Sequence, residues 1–202
     1  SAAPALLIFA VIPLGDSIHL LGRPVPLVIT DLPIGVLYIF ALSSLSVYGV
    51  ALGGWASDSK YSLLGSIRSV AQMISYELAF VLSIVPIVMM ARSFSLVDIV
   101  NAQVQCPFVL KQPVSFVLFF LSAMAEIKRI PFDLPEAENE LVAGYHTEYS
   151  GMRFGLFFMG EYITLVVLGA LVALFFLGGW WGPFLPPLVW FIIKVLIIVL
   201  FM

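Results

Sequence analysis

The chain has 202 residues, of which 62% are hydrophobic and only 10% charged, whereas an average soluble domain carries about 25% charged residues. So few charges cannot cover a water-facing surface, and the chain reads as a polytopic membrane protein forming a single transmembrane domain over residues 1–202. One cysteine, Cys106, and two histidines exclude a disulfide framework and argue against an iron–sulfur cluster or a self-contained zinc site, while the net charge of −3 comes with no basic patch for nucleic acid.

The first apolar run, Ala2 to Leu14, is too short to span a bilayer and lacks the basic leader and cleavage site of a signal peptide. Ser1 is not a start methionine, and the last run, Leu188 to Met202, stops without a polar flank, so the chain reads as an internal piece of a longer protein. Between these lie four further apolar runs, judged against the roughly 20 residues that cross a bilayer as a helix. They are Pro33 to Gly54, Ile67 to Met90, the shorter Pro113 to Glu126, and Gly151 to Leu177. The fold class is therefore an all-α membrane protein, a polytopic bundle of about six helices. Ser43, Ser44, Ser46, Gly49, Gly53 and Gly54 mark the second helix for close packing.

The connections alternate between two sides. Gly15–Leu32, Ala91–Gln112 and Gly178–Pro187 share one side, with Arg23, Arg92 and Lys111. Ala56–Ser66 and a charged loop at about 127–150 share the other, with Lys60, Arg68, Lys128, Arg129 and Arg153. This excess places the charged loop in the cytoplasm. Trp180 and Trp181, beside a Gly-Pro turn, read as an interfacial belt on the opposite side.

Three charges fall inside apolar runs: Glu77, Glu161 and Lys194. Glu126 sits within the membrane or at its boundary. A charge at the bilayer centre costs about 3 kcal/mol on insertion scales, so such residues face protein or water and either pair or relay protons. One reading is a structural ion pair, Lys194 with one of the glutamates. The other, favoured by the set taken together, is a proton relay through Glu77, Glu126, Glu161 and Lys194.

Half of the chain's twelve acids lie between Glu126 and Glu148. Asp133 and Glu136 suit an N-cap and capping box, which leaves Glu138, Glu140 and Glu148 unexplained. A solvated loop would satisfy them. The interleaved Leu141, Val142, Ala143, Gly144 and Tyr145 point instead to a segment packed against something.

The stretch AEIKRIPFDLPEAENELVAGYHTEYSGM, followed by FGLFFMGEY, resembles the H-subunit family of the proton-pumping NADH:quinone oxidoreductase, respiratory complex I, whose mitochondrial counterpart is NADH dehydrogenase subunit 1. GWASDSKYSLLGSIRSVAQMISYELAF and GGWWGPFLPPLVWFIIK match the same family, and the resemblance covers essentially the whole chain. It implies that the six helices correspond to the family's helices two to seven, partial at both ends. It also implies a subunit at the junction of the membrane and hydrophilic arms that helps form the quinone chamber and couples quinone reduction to proton translocation.

On this resemblance Glu77 and Glu161 match the family's membrane glutamates, and Lys194 its lysine in the penultimate helix. Glu126, Arg129, Asp133, Glu136, Glu138, Glu140 and Glu148 match the charged loop beside the chamber, and Phe158 lies near the quinone path. The chain itself would hold no cofactor or metal and no catalytic residue. Quinone would bind at a shared site, with NADH, FMN and iron–sulfur clusters in partner subunits. The location implied is the bacterial inner membrane, or the mitochondrial one if the gene is organellar. Two alternatives remain open: the membrane subunit of an energy-converting hydrogenase, which shares the fold, and a stand-alone ion transporter, which would require inverted repeats.

Overall fold

A computed structural model describes residues 2–15, 17–20, 23–129, 132–133 and 150–202. Helix α1 (Ala2–Phe9) leads into a two-stranded antiparallel hairpin, β1 (Ser17–Leu20) and β2 (Arg23–Pro26), in which Ser17 pairs with Pro26 and Leu20 with Arg23. Helices α2 (Gly35–Ala56) and α3 (Lys60–Ala91) follow, then the short α4 (Leu96–Asn101) and α5 (Phe108–Lys111). Helices α6 (Pro113–Ile127), α7 (Met152–Phe176) and α8 (Pro187–Phe201) complete the described structure. Among the described residues three helices are long and apolar enough to cross a membrane, on α2, α3 and α7, with shorter apolar helices at α6 and α8. This is the expected polytopic bundle.

Besides Gly15–Leu32, which folds into the β1–β2 hairpin of an otherwise helical chain, two connections differ from expectation. The polar stretch Ala56–Ser66 is mostly helix, because α3 starts at Lys60 after an extended Ser59 and meets no proline in its first turns. The Ala91–Gln112 connection folds into α4 and α5 rather than an open loop.

Helix α3 packs on α2 and α6, α7 on α8, and α1 on α2 and α7. The contact between α2 and α3 is tight because a Cβ on Gly54 would collide with the Ser66 side chain, so the small residues of α2 do set a close approach. Buried hydroxyls bond to their own helix: Ser66 donates to Leu63 O at 2.8 Å and Ser83 to Phe80 O at 2.6 Å, which removes the cost of a bare hydroxyl in an apolar setting.

The core is aromatic. Phe119 stacks on Phe80 at 4.5 Å and meets Phe175 and Phe176 at 5.9 and 5.5 Å. By contrast Leu37, Tyr48, Leu52 and Trp55 of α2 and Leu196, Leu200 and Phe201 of α8 are exposed. Helices apolar on all sides are those of a membrane span.

At the end of the bundle holding the α7 C-terminus, Gln103 is buried. It donates to Leu174 O at 2.7 Å and Ile99 O at 3.1 Å, and accepts from the Gly178 and Phe108 amides at 3.0 and 3.3 Å. Nearby Trp180 is buried at 3% exposure while Trp181 is 44% exposed. The expected interfacial pair is therefore split, with one ring in the core and one outside.

Candidate functional site: a carboxylate cluster around the end of α6

Pro113 opens α6 in its first turn, where its missing N–H is no loss. The helix ends at Lys128, which takes a left-handed backbone with φ of 58°. Gln72 of α3 holds both sides of this break, its Nε2 donating to Ala125 O at 3.0 Å and to Phe132 O at 2.8 Å. The Tyr76 ring packs edge-on against Phe132 at 5.2 Å. A carbonyl of the last helical turn, which also accepts from the Lys128 amide at 3.3 Å, and a carbonyl of the following chain thus both accept from α3.

Three acids and a cation gather near the break. Glu126, in the last turn of α6, is half-buried and within electrostatic reach of Glu77 and Lys128. Glu77 lies near the middle of α3, about 25 Å along the helix from Lys60. The Ser44 hydroxyl of α2 donates to its Oε1. Lys128 Nζ stands 4.0 Å from Glu161 Oε1, the lysine side chain only 5% exposed and the glutamate 27%. Glu161 lies about 14 Å into α7 from Met152, and the Lys128 ammonium reaches it there.

Three cavities meet here. One of about 40 Å³ is lined by Ser46, Met73, Glu126, Lys128, Glu161 and Thr164 among others. A water needs roughly 10–15 Å³ of such space, so this cavity suits a few waters. Another of about 30 Å³ reaches from Glu126, Ser43 and Thr164 to Pro4 and Ile8 of α1. The largest, about 220 Å³, is lined by Ile127, Arg129, Phe158, Glu161 and Tyr162. Glu161 thus borders the large cavity and the first small one, and Glu126 borders both small ones. The Arg129 guanidinium lies 5.8 Å over the Tyr162 ring, and Phe158 packs against Phe154 at 4.6 Å. Chemically the arrangement is a line of ionisable groups and hydroxyls, opening at one end on a space with an apolar ring, a cation and a phenol.

A model for the family described as NADH dehydrogenase matches residues 1–202. The chain belongs to this family. It is 70% identical over 201 residues to a relative from Syntrophobacter fumaroxidans, an H subunit of NADH-quinone oxidoreductase (the second of that organism), covering 100% of this chain and 61% of that relative. The NADH-quinone oxidoreductase H subunit of Syntrophotalea carbinolica is 65% identical over 196 residues, covering 97% of the chain and 59% of the relative. A second H subunit of Geobacter sulfurreducens is 64% identical, with 97% and 60% covered. The chain therefore spans about three-fifths of the length of these curated relatives.

For this member of the NADH dehydrogenase family, the structure brings together Glu77, Glu126, Glu161, Arg129 and Phe158 of the expected site residues. Asp133 is half-buried next to Phe132, at the start of the acidic segment. Glu136, Glu138, Glu140 and Glu148, with the capping box and Leu141 to Tyr145, lie outside the described residues. Lys194 is elsewhere: its ammonium donates to Leu177 O at 2.7 Å, Gly179 O at 2.9 Å and Trp181 O at 2.7 Å. Its described partners are thus carbonyls beyond the C-terminus of α7, not the glutamates of the ion-pair reading, because that helix end presents unpaired acceptors to it. Sequence reasoning missed Lys128, Gln72, Ser44 and Tyr162 as members of the site. Lys128 and Tyr162 each lie within two positions of a singled-out acid, which was the only signal for them.

Proposed function

We propose that this chain is a membrane subunit of a proton-translocating NADH:quinone oxidoreductase, where it walls part of the quinone chamber and carries the charge change of quinone reduction into the membrane. One observation carries the reading: Glu161 borders the cavity of about 220 Å³ on one side and the Glu126–Lys128 cavity on the other. Ligand sites for organic molecules run from about 300 Å³ upward, so the larger cavity suits one wall of a site shared with partner subunits. The relatives' names, which are those of an NADH-quinone oxidoreductase, favour quinone over the hydrogenase alternative.

Reducing a quinone to a quinol takes two electrons and two protons. The electrons come from NADH through FMN and iron–sulfur clusters in the hydrophilic-arm subunits. This chain's residues bind and respond. Phe158 offers an apolar wall to the ring, and Arg129 and Tyr162 offer donors to its oxygens. Glu161 feels the negative charge of the reduced ring, and the Glu126–Glu77 pair with the Ser44 hydroxyl extends the line of proton-holding groups between helices α6, α3 and α2. The hydrophilic-arm subunits adjoin this chain on the cytoplasmic side, lipid surrounds the exposed helix faces, and the complex sits in the bacterial inner membrane.

The test is Glu161→Gln in the assembled complex, which keeps the shape and removes the ionisable group. Quinone-linked NADH oxidation falls about a hundredfold, the low end of what losing a positioned proton-transfer group costs. NADH oxidation by an artificial electron acceptor and the amount of assembled complex stay unchanged. Unchanged quinone reduction, or activity lost only in step with assembly, overturns the reading.

A further inference from the structure

The relay just described runs through carboxyls, yet a cation stands in its wall. Lys128 has two costly features. Its backbone is left-handed, with φ of 58°, a conformation that side-chain-bearing residues other than Asn and Asp seldom adopt. Its ammonium, on a four-carbon stem, is turned inward, and the side chain is only 5% exposed. A buried ammonium persists only where opposite charges compensate it. Two carboxyls do so: Glu161 at 4.0 Å, and Glu126, which interacts with it electrostatically from the preceding turn. All three line the same cavity of about 40 Å³. Glu161 alone of the two acids also faces the larger cavity.

We propose that Lys128 is a positioning residue that serves as a movable charge in the wall between the two cavities. Its ammonium sits on Glu161 while that carboxylate is ionised and swings toward Glu126 once Glu161 takes a proton. The two carboxyls therefore exchange the charged state instead of titrating independently. This rests on the relay reading of the site and adds a residue to it. No covalent bond changes at Lys128. It remains an ammonium, the proton released from one carboxyl is taken by the other through water in the cavity, and the net charge of the three groups is the same before and after the exchange. Among the described residues, Glu77 lies beyond Glu126, and Arg129 and Tyr162 stand on the side of the larger cavity. Only Lys128 lines the small cavity with both acids.

The test uses the assembled complex in sealed vesicles carrying Lys128→Met, Lys128→Gln, Lys128→Arg or Glu161→Gln. The readouts are quinone-linked turnover against pH, vesicle acidification, and assembled complex quantified for normalisation. Lys128→Met and Lys128→Gln lower turnover per assembled complex about tenfold near neutral pH, the factor carried by a one-unit change in a protonation equilibrium. They also move the acid limb of the profile to higher pH by about one unit, because losing a neighbouring ammonium favours a protonated carboxyl. Lys128→Arg keeps most of the activity and the original profile. Adding Lys128→Met to Glu161→Gln has no further effect, since the two act as one unit. A wild-type profile in both uncharged variants, or a loss fully explained by assembly, overturns the inference. If Glu161→Gln is impaired while the uncharged Lys128 variants are normal, only the movable charge is wrong. If Glu161→Gln is itself normal, the relay reading fails with it.

Discussion

Replacing Gln103 by leucine removes the staple that ties the α4–α5 connection to the end of α7. The wild-type side chain satisfies two amides and a helix-end carbonyl from different segments: Phe108 N, Gly178 N and Leu174 O, at 3.3, 3.0 and 2.7 Å. Leucine fills similar space and satisfies none of them. Each buried amide left unpaired costs about 1–3 kcal/mol, so the two together destabilise this end by at least about 2 kcal/mol. Local opening rises correspondingly, by about 30-fold. The assay is hydrogen exchange followed by mass spectrometry on the intact complex, reading peptides that contain Phe108 and Gly178. These exchange about 30-fold faster in Gln103→Leu, while peptides from α2 are unchanged. Gln103→Glu keeps the acceptor that both amides use and loses the donors, so it gives an intermediate effect. Unaltered exchange at Phe108 and Gly178 in the leucine variant would refute the staple.

Two further outcomes concern the packing of α2 on α3. Glu77→Gln lowers proton pumping by about a hundredfold, and Glu77→Asp retains part of it because an acid remains within reach of Ser44; vesicle acidification per assembled complex measures both, and wild-type pumping in the glutamine variant removes Glu77 from the relay. Gly54→Ala destabilises by about 1–3 kcal/mol, as overpacking does, because its Cβ meets the Ser66 side chain. The double variant with Ser66→Gly recovers most of the lost assembly, and failure of that rescue argues against the close approach.

Much of the fold is legible in hydropathy because a bilayer imposes a length: the runs from Pro33, Ile67, Pro113 and Gly151 all appear as helices. What hydropathy misses is helix that continues through polar sequence. Lys60 to Ser66 contains no proline or glycine before Gly65, so α3 forms there although the stretch reads as a loop. The neighbours Trp180 and Trp181 share one chemistry and part company, because the turn at Gly178 and Gly179, both at positive φ, aims one ring inward. The acids of the site were visible one at a time, as charges in oily runs. That Glu77, Glu126 and Glu161 meet depends on how far each helix slides past its neighbours, and apolar periodicity does not encode that. Lys194 was visible for the same reason as the glutamates, yet its partners are backbone carbonyls, which no side-chain pattern announces.

The least legible feature is the one on which the site depends. Helix α6 stops at Ile127, and the residues on either side of the stop, Ile127 and Arg129, line a cavity with Phe158, Glu161 and Tyr162, about 14 Å into α7. At such depth irregular backbone is tolerated only where protein covers it or a polar cavity receives it. Both conditions are met here. Gln72 takes the carbonyls on either side of the break, and the cavity receives Glu126 and Lys128. Had α6 continued as a helix, successive residues would step about 100° round its axis, and Glu126 and Lys128 would point well apart. The left-handed residue reverses the turn and lets both line one space with Glu161. The end of the helix, the buried lysine and the cavity are therefore one device, and Gln72, which carries no charge, is the residue that holds it in place.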